Sequence, residues 1–187
     1  RKITKDIYSK SNLFDEYTFN LLNEFGYKSN VFTDKSVQNF LWIGFIKIFF
    51  PNSKIILTDR NSRDVCLSIF KINFKNGFMN FAYDQKDIAN FYNVYLDLIS
   101  FWKEIFKDDI YLSKYEKLID NSQFEIKEMI NFCDLEWDPN CLNHHLNKSG
   151  IKTASINQAR KPIYKTSKNL NKNYSDNLGE MFSILRN

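Results

Sequence analysis

The first part of the chain alternates apolar and polar residues with the period of a helix. Within residues 12–25, apolar side chains recur every three or four positions, and Gly26 follows where a helix commonly ends. This pattern predicts an amphipathic helix. The β-prone stretch 31–33 predicts a short strand, and residues 37–50, which are apolar at nearly every turn, predict a buried helix.

A strand, a polar turn and a helix are predicted next. Residues 54–58 form a compact β-branched run, typical of a strand buried in a parallel sheet, after a turn at 51–53. Either Asn61 or Ser62 can cap the helix that follows. The buried stripe of this helix would consist of Val65, Ile69 and Ile72.

The same alternation continues in the second half of the chain. The apolar pattern predicts a long helix over about 87–106, a short strand at 110–112 and a helix capped by Ser122. A short helix is expected after Pro139, and residues 148–161 are expected to be irregular. The predicted core face of the long helix comprises Phe91, Val94, Tyr95, Leu98, Trp102 and Ile105.

Alternating strands and helices predict an α/β fold with a mostly parallel sheet, and the length favours a single domain over residues 1–187. In such folds, ligands bind beyond the carboxyl ends of the strands. The predicted strand ends carry Lys35, Arg60 and Tyr115, which makes them the first candidates for a binding site.

Composition narrows the class of ligand. The formal charge of +4 is mildly basic, and no stretch holds the dense block of Lys and Arg that a nucleic-acid surface needs, so a small anionic ligand fits better. No apolar run is long enough for a membrane span. Cys66, Cys133 and Cys141 form no ligand set with each other or with His, so we expect no metal site and a reduced, cytoplasmic compartment.

The motifs that carry chemistry lie in 32–40 (FTDKSVQNF) and 50–70 (FPNSKIILTDRNSRDVCLSIF). In this order they resemble sulfotransferases that use 3′-phosphoadenosine 5′-phosphosulfate, most closely the bacterial and tyrosylprotein branch. Later segments continue the resemblance: Tyr115-Glu116, the run 132–137 (FCDLEW) and the run 153–164. The resemblance implies a three-layer α/β fold similar to P-loop nucleotide-binding proteins. The matching positions in the first two motifs are Asp34, Lys35, Asn39, Phe40, Arg60, Arg63, Asp64 and Ser68.

Arg60 and Ser68 match the pair that binds the donor's 3′-phosphate in this family, so the resemblance implies that role for them. The physical chemistry agrees, because a planar guanidinium grips a phosphate in bidentate geometry and a neutral hydroxyl can assist. The alternative is that Arg60 only forms a salt bridge with Asp64 or Asp59.

The resemblance implies a catalytic role for Lys35, whose ammonium would neutralise charge on the bridging oxygen or the transferring sulfuryl group. An ordinary solvated lysine is the alternative. Asn39 is expected to support the Lys35 loop. Tyr115 and Ser155 resemble positions that line the nucleotide. Added positive charge would come from Lys161, together with Lys168 or Lys172, between which the pattern does not decide.

The implied function is transfer of a sulfuryl group to a hydroxyl or similar acceptor that the sequence does not identify, without a metal. The family's P-R-S-G-T-T segment, whose amides hold the 5′-phosphosulfate, is not found among these residues. We therefore expect a fragment of a longer enzyme, with the catalytic base upstream. A truncated homologue acting as a non-catalytic nucleotide-binding or interaction module is the alternative, and a nucleoside-phosphate kinase is a weaker one. His144-His145 is not expected to be catalytic.

Overall fold

The computed structural model describes residues 11–24, 26, 31–74, 77–147 and 160–186, without the side chains of 11–15, 77 and 78. The chain divides into two compact units. The first comprises Arg1–Ile55 and Leu98–Asp109, and the second comprises Ile56–Asp97 and Ile110–Asn187. Whether the whole chain is one domain stays a prediction.

In the first unit, helix α1, Ser11–Glu24, confirms that a helix forms where the apolar pattern predicted one. The chain turns at Gly26, whose φ of +82° is readily adopted only by glycine. The predicted strand at 31–33 is wrong, because this stretch is exposed and has no regular structure. The ring of Phe32 instead contacts the rings of Phe19 and Phe50, at centroid distances of 5.7 and 5.8 Å.

The predicted buried helix at 37–50 is shorter and more exposed than its apolar pattern suggests. A 3₁₀ helix, Asn39–Leu41, precedes helix α2, Ile43–Phe49, and only Ile43 and Lys47 of α2 are buried. Val37, Trp42 and Phe45 are each more than half exposed. Continuous apolarity predicted a helix without showing which residues face the core, since it has no polar face to compare.

The second unit is built on strands β1, Ile55–Asp59, and β2, Ile110–Lys114, which pair in the only sheet of the described residues, a small parallel one. Helix α3, Ser62–Phe70, follows β1. Helix α4, Gln85–Ile105, runs through parts of both units. This mixture confirms the predicted α/β class.

The core of the second unit brings together α3, α4 and the end of the chain. Cys66 and Leu67 pack with Ile88, Ala89 and Tyr92 of α4 and with two later residues, Leu178 and Met181. Burial raises the pKa of the Cys66 thiol to about 12, so this cysteine stays protonated and serves packing.

Both predicted helix stripes were displaced around the helix axis. In α3, Val65 and Ile69 are only half-buried, whereas Cys66 and Leu67 are fully buried. In α4, Val94 is 58% exposed and Ile105 is 50% exposed. The buried residues of α4 are Ile88, Ala89, Tyr92 and Ile99. Size misled the prediction, because large aromatic residues were favoured over the small Ala89 in choosing the core face.

Two short helices follow β2 directly. Helix α5, Tyr115–Asp120, was not predicted, and helix α6 spans Ser122–Phe132. Ser122 is the first residue of α6; the capping position belongs to Asn121, which makes no side-chain capping bond. The capping role predicted for Ser122 is therefore wrong.

The remaining described elements are 3₁₀ helices and one short α-helix. Pro139–Leu146 confirms the helix predicted there, and Asp138 caps it by accepting a hydrogen bond from the Asn140 amide at 2.8 Å. The 3₁₀ helix Leu170–Tyr174 and helix α7, Gly179–Ile184, follow later in the sequence. Residues 148–159, the larger part of the segment expected to be irregular, lie outside the described residues. No helix in the described ranges has the length and apolarity to cross a membrane.

Candidate functional site

The turn after β1 is held by contacts to residues near and far in the sequence. Asn61 caps α3, because its Oδ1 accepts a hydrogen bond from the Asp64 amide at 3.2 Å. The Asn61 amide donates to Oε1 of Glu116 at 3.0 Å, across to the start of α5. Arg60 therefore sits between a strand end and an anchored helix start, as predicted.

The Arg60 guanidinium makes three different kinds of contact. Its Cζ lies 4.6 Å from the ring centroid of Tyr115, its Nη2 donates to the carbonyl oxygen of Ser167, and the same Nη2 lies 3.6 Å from Oδ2 of Asp64. The buried Nε has no hydrogen-bond partner among the described residues. About a fifth of the side chain is exposed. The guanidinium is thus oriented but retains an unpaired donor.

The Asp64 carboxylate is engaged mainly by other groups. Its Oδ2 accepts from the Asn169 amide at 2.8 Å, and its Oδ1 accepts from the amide and the Nδ2 of Asn171 at 2.8 and 2.7 Å. Its 3.6 Å separation from Arg60 is longer than a hydrogen bond. The salt bridge between Arg60 and Asp64 therefore exists, but it does not occupy all the hydrogen-bond donors of Arg60.

The residues that contact Arg60 and Asp64 through these hydrogen bonds, Ser167, Asn169 and Asn171, belong to one stretch, which we call the 165–171 segment. Two of its cations flank Asp120, with Lys168 Nζ at 2.8 Å and Lys165 Nζ at 3.5 Å from its carboxylate oxygens. The hydrogen bond from Lys168, followed by the charges of Lys168 and Lys165, lowers the pKa of Asp120. The segment therefore carries two cations and the carbonyl that Arg60 binds.

Of the other residues predicted to bind the nucleotide, Tyr115 contacts Arg60, whereas no such contact is seen for the rest of them in the described part of the chain. Ser68 is exposed on α3 and, being four residues after Asp64, lies along the same side of that helix. Lys161 is exposed, and its carbonyl oxygen lies 3.2 Å from Nε2 of His144. Ser155 lies outside the described residues. Lys172 is exposed in the 3₁₀ helix that follows Asn169.

Lys35 belongs to the first unit and is exposed. The expectation that it follows a strand is wrong, since 31–36 is not regular structure. Asn39 donates from Nδ2 to Oδ2 of Asp34 at 2.8 Å, which is the loop-supporting contact predicted for it.

Sequence reasoning missed the contacts of Asp64 with Asn169 and Asn171. Asp64 lies in the first turn of α3, where a carboxylate is stabilised by the nearby helix amides without any distant partner. Asp64 is in fact 2% exposed, and its partners lie 105 to 107 residues later. The one available signal was its place in the R-x-x-R-D-x-x-x-S motif. Within the described part of the chain, no group of three His, Cys, Asp or Glu side chains could hold a metal ion.

Comparison with known proteins finds a family model and a relative that are similar to this chain. A family model described as the sulfotransferase family matches residues 4–139. A protein of Aquifex aeolicus (strain VF5), described as uncharacterized, is 36% identical over 155 residues, which are 82% of this chain and 20% of the Aquifex protein. The chain spans about a fifth of the length of that relative.

Proposed function

The chain belongs to the sulfotransferase family, and from that premise we propose that it binds the 3′-phosphate of 3′-phosphoadenosine 5′-phosphosulfate. The whole protein would transfer the sulfuryl group of this donor to a hydroxyl or similar acceptor. The three-layer, P-loop-like arrangement of the family is part of the same proposal.

The observation that carries the proposal is the state of the Arg60 guanidinium. Arginine donors that are all paired within the protein would indicate a structural residue. Here the Tyr115 ring supports one face, a single carbonyl binds Nη2, and Nε has no partner in the described part of the chain. A phosphate oxygen that reached the exposed fifth of this side chain would form charge-assisted hydrogen bonds, which are stronger than neutral ones.

Ser68 and two lysines would complete the 3′-phosphate site. The hydroxyl of Ser68 would donate one hydrogen bond, and Lys161 with Lys168 or Lys172 would add positive charge. Lys168 is the better supported of the last two, because it lies in the 165–171 segment whose Ser167 carbonyl binds Arg60. Ser155 would line the nucleotide.

The donor supplies an activated sulfuryl group, and transfer would be an in-line displacement. The acceptor oxygen forms a bond to sulfur while the bond from sulfur to the bridging oxygen breaks, and that oxygen leaves with the electron pair in 3′,5′-adenosine bisphosphate. Lys35 would neutralise charge on the departing oxygen, so catalysis would rest on positioning and electrostatics.

Binding of 3′,5′-adenosine bisphosphate, measured by calorimetry, tests the phosphate role. Arg60→Ala is expected to weaken binding by about 10- to 100-fold, because a charge-assisted hydrogen bond is lost. Adenosine 5′-monophosphate, which lacks the 3′-phosphate, should bind wild type and variant alike. Arg186→Ala is a matched control, since Arg186 pairs with Asp97 at an exposed position. Equal affinity of wild type and Arg60→Ala for the bisphosphate would contradict the proposal.

The alternative, a non-catalytic nucleotide-binding module, shares the binding site and differs only in turnover. It is separated by assaying the full-length protein for formation of 3′,5′-adenosine bisphosphate from the donor, with Lys35→Ala as the comparison. Product formed by wild type and reduced in Lys35→Ala supports the enzyme. No product with any hydroxyl acceptor from a sugar, phenol and peptide panel supports the module.

A further inference from the structure

Asp64 is a buried carboxylate that the proposed chemistry does not use. It accepts hydrogen bonds from two main-chain amides, those of Asn169 and Asn171, and from the Asn171 side chain. A buried carboxylate without such donors would be strongly unfavourable, so these bonds stabilise its position. Asp64 therefore connects the first turn of α3 to a segment more than a hundred residues away.

The backbone of the 165–171 segment is shaped to make this connection. Asn169 has φ +59° and ψ +24°, the left-handed conformation that asparagine tolerates better than most residues. Amides on either side of such a residue can converge on one anion, in the arrangement called a nest. Here the amides of Asn169 and Asn171 bind the two oxygens of one carboxylate.

The same segment also orients Arg60. The Ser167 carbonyl, two residues before Asn169, accepts the hydrogen bond from Nη2 of Arg60. Asp64 thus acts on Arg60 by two routes, a direct ion pair at 3.6 Å and a chain of hydrogen bonds of 2.7 to 2.8 Å that holds the segment. The bonds that hold the segment have ordinary hydrogen-bond lengths, whereas the direct contact is longer than a hydrogen bond.

We propose that Asp64 is a positioning residue for the 3′-phosphate site. It holds the 165–171 segment over the start of α3, and the Ser167 carbonyl of that segment fixes the Arg60 guanidinium against Tyr115. The nature of the ligand rests on the proposed function, whereas the ordering of Arg60 by Asp64 does not.

The central test compares Asp64→Asn with wild type in two ligand-free measurements. An asparagine has one acceptor oxygen in place of two, so it cannot bind all three donors. Exchange of the Asn169 and Asn171 amide hydrogens, followed by NMR, should accelerate by about tenfold or more. The Nε–H signal of Arg60 should broaden. The amides of Ile88 and Ala89, in the core of the same unit, should exchange as in wild type.

A double-mutant cycle adds a readout that a purely structural role would not produce. Asp64→Asn should weaken binding of 3′,5′-adenosine bisphosphate by about tenfold, as expected for a displaced charged donor. Added to Arg60→Ala, it should cause little further loss, because its effect passes through Arg60. Fully additive losses would overturn the proposal, as would unchanged exchange of the Asn169 and Asn171 amides.

Two controls keep the outcomes distinct. Asp84→Asn changes another carboxylate that accepts two main-chain amides, but at the start of α4, where asparagine caps equally well, so it should alter neither measurement. If Asp64→Asn does not fold, Asn171→Ala removes one of the three donors, and about threefold weaker binding is expected. Failure of wild type to bind the bisphosphate would refute the proposed ligand, while the exchange and Arg60 signals would still decide the role of Asp64.

Discussion

Two basic side chains, one before strand β1 in the sequence and one after it, differ in how fully the protein pairs their donors. Before the strand, Lys47 is 6% exposed and donates to the carbonyls of Pro51 and Ser53 and to the Asp109 carboxylate, which lies 2.9 Å away. After the strand, Arg60 has one carbonyl partner, a distant carboxylate and an unpaired Nε among the described residues.

This contrast identifies Lys47 as a structural cation and Arg60 as a candidate ligand-binding cation. An ammonium has three donors, and all three of Lys47 are satisfied within the first unit, so Lys47 can offer nothing to a ligand. A guanidinium has five donors in a fixed planar arrangement, and the contacts of Arg60 leave part of that capacity. The number of satisfied donors, rather than burial alone, distinguishes the two residues.

The largest expected effect is the loss of stability on Lys47→Met. The substitution keeps the length of the side chain but leaves two carbonyls and Asp109 without their donor. We expect the free energy of unfolding in urea to fall by about 2–3 kcal/mol, below the value for a fully buried pair because Asp109 reaches solvent. Lys86→Met, which breaks an exposed pair with Glu180, should change it by less than about 1 kcal/mol.

Gly44→Ala is expected to destabilise the same region, contrary to the usual preference of helices for alanine. A Cβ at this position of α2 would lie 2.7 Å from the Cη2 atom of Trp102, whose indole nitrogen is bound to the Phe40 carbonyl at 2.9 Å. The clash should lower the free energy of unfolding by about 1–3 kcal/mol. Gly179→Ala, with open space around its Cβ, should be neutral or stabilising; equal effects of both variants would disprove the packing argument.

Arg60→Lys tests whether the second end of β1 is a binding site. The charge is kept, but the planar donor arrangement and the stacking on Tyr115 are lost. Calorimetry should show about tenfold weaker binding of 3′,5′-adenosine bisphosphate, while the free energy of unfolding changes by less than about 1 kcal/mol. If stability falls as far as in Lys47→Met and affinity is unchanged, Arg60 is a structural cation and the contrast is lost.

The smallest expected effect on stability comes from the ion pairs that Lys168 and Lys165 form with Asp120. The pKa of Asp120 is lowered in the folded protein, chiefly by the Lys168 hydrogen bond. Its contribution to stability is therefore complete above the unfolded carboxyl pKa of about 3.9 and is lost as the pH falls through the lower folded value. The stability difference between wild type and Asp120→Asn should shrink from pH 7 to pH 2 and in high salt. If the stability difference between wild type and Asp120→Asn does not vary with pH, the ion pairs of Asp120 are not its source.

Local signals in the sequence determined most elements of secondary structure and the position of Arg60. The β-branched run before Asp59, the Asn61 cap and the periodic apolar residues of α4 act within one or two turns, so they can be recognised in a linear sequence. The buried face of each helix was harder to predict than the helix itself. Which side of α4 is buried depends on its neighbours, and Ala89, at 0% exposure, is too small for its burial to be expected from its side chain.

The sequence by itself determined that a guanidinium stands at a strand end, followed by a capped helix, and it indicated the family. Only the tertiary structure decided which groups Arg60 contacts and what Asp64 does. The reason is physical. The hydrogen-bond partners of both side chains lie in the 165–171 segment and are mainly main-chain amides and a carbonyl, groups that every non-proline residue possesses. Contacts made through the backbone leave no side-chain pattern to be read in advance.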